Sequence, residues 1–450
     1  MGLQGALYTG VSALSATGEA MNVIGNNLAN SNTTAFKASR TLFSDLLASN
    51  VSSSSGSSQV GTGVGLATVD TVFSQGGFNP TSSSTDLAIE GEGFFIVRDG
   101  NTGAEAYSRA GGFTFNDEGY LVNPQGYQVQ GYALDEGKTV GALQDIKLNL
   151  NNTDAASQTD KISFNTNLNA AAESPTDPTG ALTEFDVSNP STSSNFSTSI
   201  NVYDSLGQAH LTNVYMTKTD DPNEWQYNVT LPQSDLAGGG TGEEVIAKGY
   251  LTFGSDGSFS ASSQSSDSTT TDPAGNAVYT DGSVGSVNGN VVTTDTVSWA
   301  GGAADQELNI TLDFSQYAGQ SELVSKQQDG YSSGALTGVE VDNGGTVIAS
   351  YSNGQSRSQF RLGLAKFANN TGLAQVGNSL FEATDASGLP SIGTPGSGVG
   401  TIRSNALEQS TVDIAKEFTN MITTQRAYQA NSRTITTTDE MLQEVVNLKR

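Results

Sequence analysis

The sequence contains no cysteine. Disulfides, zinc–thiolate sites and thiol nucleophiles are therefore excluded. It has one histidine, His210, so no multi-histidine metal site can form. It has no run of about 18 apolar residues, the length a membrane-spanning helix needs, so no membrane insertion is expected. From Met1 to Asn22 it lacks the basic opening and unbroken apolar stretch of a secretory signal peptide. Any exit from the cytoplasm is expected to use a route that needs no such signal. Positive charge is also scarce. Lys and Arg number 19 against 46 Asp and Glu, a formal net charge of -27. Phosphate recognition needs basic patches, so nucleic acid is not an expected partner.

What is present is small and polar. Only 35% of the 450 residues are hydrophobic. Gly, Ser, Thr, Asn and Asp in such abundance favour strands joined by tight turns. Acid is concentrated in the middle. Between Leu148 and Ser325 stand 3 Lys, no Arg and 22 Asp or Glu. That segment reads as a solvated, β-rich outer domain.

The two ends differ from the middle and resemble each other in kind. Leu7, Val11, Leu14, Gly18, Met21, Gly25 and Leu28 alternate four and three residues apart. Leu407, Ile414, Met421, Tyr428, Ile435 and Leu442 recur every seventh residue. Such a repeat marks a helix that buries one seam against another helix. The expected fold is mainly β with long terminal α-helices, the helices paired as a coiled coil. Gly18 and Gly25 in the first seam suggest close approach of a neighbouring backbone, since glycine costs a helix roughly 1 kcal/mol against alanine. The alternate core positions of the second helix are Thr411, Phe418, Gln425, Ser432, Asp439 and Val446. Most of these are polar, and an isolated pair would be weak. The helices are expected to order when many subunits surround them. The final helix is expected over 402–450, and Ser49 to Ser58 as a flexible linker.

No motif carries catalysis. Gly61 to Ala67 echoes a phosphate-binding loop, but no strong strand precedes it and no helix follows. The Asp256-Gly257 and Asp281-Gly282 pairs lack calcium-loop spacing and read as hairpin turns. His210 lies in a strand-like run and reads as packed or exposed. No catalytic residue, cofactor or metal is expected.

Specific stretches resemble a known family. Asn22 to Arg40 (NVIGNNLANSNTTAFKASR) resembles the N-terminal signature of the flagellar rod, hook and hook-associated axial proteins. DLAIEGEGFF and YSRAGGFTFNDEGYLVNPQGYQVQGY resemble their shared β-domain, and NVYDSLGQAH the outer domain of the hook branch. TTQRAYQANSRTITTTDEMLQEVVNL resembles their C-terminal helix. The resemblance covers both ends and the flanking β-domain. It implies a subunit of a helical homopolymer, a hollow curved tube acting as a universal joint between rod and filament. It implies contacts with a distal rod protein, a hook cap protein, a hook–filament junction protein and the flagellar type III export apparatus. It also implies a place outside the cell. Phe43-Ser44-Asp45-Leu46-Leu47 is similar to the motif such chains present to the export gate, carried by Phe43 and Leu47. Packing of a linker helix is the plainer reading of that run.

The expected organisation is then an inner-core helix over 1–30, a linker and export region over 31–65 and a β-rich wall domain over 66–147. The acidic outer domain over 148–325 follows, then the rest of the wall domain over 326–401 and the inner-core helix over 402–450. The assembly seam is expected to comprise the apolar seam residues named above together with Phe418. A distal rod protein shares both end signatures, but the long acidic insert argues against it. A secreted β-rich carbohydrate-active enzyme or adhesin would explain the middle but not the terminal repeats.

Overall fold

A computed structural model describes residues 2–53, 56–135, 137–149, 153–176, 185–264 and 286–448. The fold is mainly β, with one long helix near each end, Gly2–Ala29 and Ile414–Leu448. The chain divides into two compact units. One comprises Met1–Asn151, Thr337–Ser350 and Ser356–Arg450; the other comprises Asn152–Leu336 and Tyr351–Gln355.

In the first unit, the apolar run Phe94–Arg98 is a strand buried on both faces. Phe95 and Val97 pack with Leu87, Phe113 and Leu364, while Phe94 and Ile96 pack with Tyr107, Phe367 and Phe381. Alternation sends successive side chains to opposite faces, so a continuous apolar strand serves two cores. Phe94–Arg98 pairs with Glu105–Ser108, Gln128–Asp135 and Leu364–Lys366.

The N-terminal part differs from a linker. Ser39–Asp45 pairs antiparallel with Val64–Thr71, with a bulge between Leu42 and Phe43. Ser49–Ser53 pairs with Gly56–Val60. The Ser-rich stretch is therefore a paired hairpin, and the Phe43 segment is a strand, not a helix. β-branched and aromatic residues here (Thr41, Phe43, Val64, Val69) suit an extended backbone.

The C-terminal helix also starts later than its seven-residue repeat suggests. Thr401–Ser404 pairs with Leu87–Glu90, and Ala406–Glu408 pairs with Phe78–Pro80. The helix begins at Ile414 because Asp413 caps it: its Oδ1 accepts hydrogen bonds from the backbone amides of Ala415 and Lys416.

The second unit holds two five-stranded sheets. One is an antiparallel meander from Phe196–Tyr203 through Ala209–Lys218, Glu224–Pro232 and Glu243–Phe253 to Phe259–Gln264. Its last hairpin turns at Asp256-Gly257, where Gly257 takes a positive φ of 77°. In the other, Lys161–Asn169 runs parallel to Asn309–Tyr317. Phe164, Leu168, Trp225, Tyr227, Leu251 and Leu312 belong to one core built by both sheets.

Candidate self-assembly surface

The two ends of the chain are tied together by a buried charge cluster. Lys37 Nζ lies 2.7 Å from Glu408 Oε1 and donates to the Ser74 carbonyl at 2.7 Å. The same carboxylate oxygen accepts hydrogen bonds from the Gly76 amide and the Gln75 side chain. Arg109 NH1 stands 3.7 Å from Glu408 Oε2, and its NH2 donates to the Gly91 carbonyl. All three charged residues are buried. Burial pulls the Lys37 ammonium below its ordinary range, and Glu408 works against that pull. Arg109 is lowered too, chiefly by burial. Buried charges persist only when paired in this way.

Backbone contacts extend the tie. The Ala35 amide donates to the Glu408 carbonyl, and Thr411 and the Phe36–Ala38 segment exchange hydrogen bonds. Ala35 takes a positive φ of 56° to do so. Asn27, buried at the end of the first helix, donates to the Ser39 carbonyl and accepts from the Ser39 amide. Its amide group thus stands in for a strand partner. Asn27, Ala35 and Lys37 all lie in the signature stretch, and they explain why it is built as it is.

From this tie the two helices run against each other. At Gly10 an added Cβ would meet Ile435 Cγ1 at 2.8 Å, so glycine is required there. The face that the first helix buries carries Ala16, Ala20, Ile24 and Asn27. Small residues dominate it because they permit close approach.

The seam residues read from sequence fall mostly beside that face. Leu7, Leu14, Met21 and Leu28 are half-buried, and Val11 is exposed. On the second helix Met421, Ile435 and Leu442 are half-buried, while Ile414, Phe418 and Tyr428 are exposed. Phe418 lies off the inward face, which continues instead through Glu417, Thr424, Asn431 and Thr438. Leu407 is on the strand Ala406–Glu408, opposite Asn79, and is no part of a helix. Its seven-residue distance from Ile414 coincides with the repeat but crosses the Asp413 cap. The buried small-residue stripe was missed because its period equals that of the larger apolar stripe. Its spacing of four, four and three from Ala16 to Asn27 was the available signal. Phe43 is exposed on its strand, paired with Leu66, and Leu47 is 94% exposed.

The lone histidine has a structural setting. His210 Nδ1 is 3.0 Å from Asp235 Oδ2 and its Nε2 is 3.4 Å from Asp204 Oδ2. Its ring stacks on Trp299 at 4.0 Å. The other oxygen of Asp204 accepts the Leu206 and Gln208 amides, so the cluster fastens loops together. Among the described residues no cluster of His, Asp or Glu has the arrangement to hold a metal ion. No described helix is long and apolar enough to cross a membrane.

Helices tied at their base, with apolar side chains left outside, suit a subunit of an assembly. Comparison with known proteins gives the same class. The profile described as flagella basal body rod protein matches residues 7–37. The flagellar hook protein FlgE/F/G D1 domain matches 88–168, and the flagellar basal body protein FlaE D2 domain matches 167–331. The flagellar basal body rod FlgEFG protein C-terminal profile matches 403–448. The chain is 38% identical to flagellar hook protein FlgE of Salmonella typhimurium, over 98% of each chain. It is 36% identical to flagellar hook protein FlgE of Escherichia coli, again over 98% of each. The relative of the same name in Borreliella burgdorferi is 34% identical, over 98% of this chain and 99% of that one. The chain belongs to the flagellar hook protein FlgE family, a structural family and not an enzyme family.

Proposed function

We propose that this chain is the structural subunit of the bacterial flagellar hook. Copies stack helically into a curved, hollow tube that acts as a universal joint and passes torque from rod to filament. The terminal helices pair as a coiled coil at the core of that tube. The observation that carries this reading is the apolar surface the helices leave uncovered. Val11, Ile414, Phe418, Ile422, Tyr428 and Val445 are all exposed in the single subunit. Apolar area exposed to this extent on two packed helices suits a surface that neighbours cover.

The polymer meets a distal rod protein at one end, and a hook cap protein and then a hook–filament junction protein at the other. The subunit reaches its extracellular place through the flagellar type III export apparatus. Phe43 and Leu47 are the residues that apparatus reads, in the chain before it folds.

The test is electron microscopy of the purified full chain, induced to polymerise by high salt, beside a chain lacking residues 1–30. Hollow, curved tubes from the full chain alone are expected. Tubes from the deleted chain would remove the helices from the core of the assembly.

A further inference from the structure

An open groove of about 680 Å³ lies between the first helix and the second, beside the Ala16, Ala20 and Ile24 face. Leu14, Gly18 and Met21 line it from the first helix and Tyr428 from the second. An added Cβ at Gly18 would meet nothing in this chain, and the same holds at Gly5 and Gly25. Unlike Gly10, these three glycines therefore leave side-chain space that no described residue of the subunit fills. Glu19 stands at the groove's rim and is the only charged residue from Gly2 to Ala29. It is exposed, and among the described residues its side chain accepts one hydrogen bond, from Asn22 at 3.4 Å.

The second helix carries a matching ridge. Phe418, Ile422 and Arg426 recur every fourth residue, so they share one face. All three are exposed, and the face lies opposite the one that carries Thr424, Asn431 and Thr438. Among the described residues Arg426 makes no ion pair or hydrogen bond. At 1.5 Å per residue, Phe418 to Arg426 spans about 12 Å, the same as Leu14 to Asn22 along the groove. Arg433 continues the stripe but lies about 16 Å beyond Ile422, outside that length.

We propose that the groove receives the C-terminal helix of a second copy of this chain, with Phe418 and Ile422 seated in it and Arg426 paired with Glu19. This rests on the hook-subunit reading and names the contact through which the subunits interlock. The charges are complementary: the groove's helix offers one anion, and the ridge offers a cation directed away from its own partner helix.

The experiment is a charge exchange in the full chain, read as the concentration needed for salt-induced polymerisation. Glu19→Arg and Arg426→Glu should each raise it about tenfold, because like charges would then face each other across the contact. The chain carrying both should return to within about twofold of the parent. Gly18→Leu supplies a second arm. Its Cβ meets nothing in this chain and its side chain enters the open groove, so thermal melting should hold, yet it fills the groove and should suppress polymers. Parent tubes with no recovery in the double variant, or normal assembly of Gly18→Leu, would overturn the pairing and leave the hook reading standing. A parent chain that never polymerises would overturn both.

Discussion

In the unit from Asn152 to Leu336, the side chains of Phe164, Trp225, Tyr227 and Leu312 are closed off between two sheets. The C-terminal helix, 35 residues long, buries only Thr438 among its described side chains. The sheets bury their apolar surface within one chain, so their stability belongs to the subunit. The helix leaves most of its apolar surface outside, so in the proposed polymer its stability would depend on the concentration of neighbours. A polymer subunit benefits from that division. The sheets hold their shape through assembly, and the helices respond to it.

The sharpest way to break this contrast is Met421→Asp, which puts a charge on the half-buried helix face. Assembly should be lost in sedimentation, while circular dichroism of the β units stays unchanged. Normal polymers would show that this face is not part of the core. A smaller effect is expected from Glu408→Ala. It leaves Lys37 buried without its carboxylate, a loss of about 3–5 kcal/mol. In calorimetry only the unit holding Lys37 should melt earlier; equal shifts in both units would deny their independence. Smallest is the response to acid. Hydrogen bonds from Asn101 and Thr102 hold the Asp99 carboxyl below its ordinary range, and those from Ser258 do the same for Asp256. A carboxyl lowered on folding stabilises above its unfolded value, and that contribution fades as pH falls toward the lowered one. A modest drop in melting temperature is therefore expected below about pH 4. Asp256→Asn should remove its share from the second unit alone, and an unchanged acid response would assign the effect elsewhere.

The Asp256-Gly257 hairpin was legible in the sequence, and its turn stands where its residue pair placed it. The strand Lys161–Asn169 was not read, although Ile162, Phe164, Thr166 and Leu168 alternate and are all buried. The parallel pairing of that strand with Asn309–Tyr317 was not legible, because nothing local links segments so far apart. Helix existence was readable at both ends, but phase was not. A repeat of seven fits two stripes equally, and hydrophobicity favoured Leu14 and Met21 over the buried Ala16 and Ala20. Leu407 showed the same weakness at a boundary, where the Asp413 cap outweighed the repeat. Lys37 stood inside a quoted signature, yet its role needed Glu408, and no spacing rule joins them.

That last pair has a consequence in time. Lys37 and Glu408 lie 371 residues apart in the chain. A chain made from its N-terminus exposes Lys37 long before Glu408 exists, and both sheets of the second unit are complete in between. Closing so long a loop is slow and comes late. Until it closes, the Lys37 ammonium lacks its carboxylate partner and the first helix, though held to Ser39 through Asn27, has no link to the C-terminal segment. The tie therefore cannot form until the chain has been made through Glu408, so the base of the two helices is set after both sheets of the second unit exist.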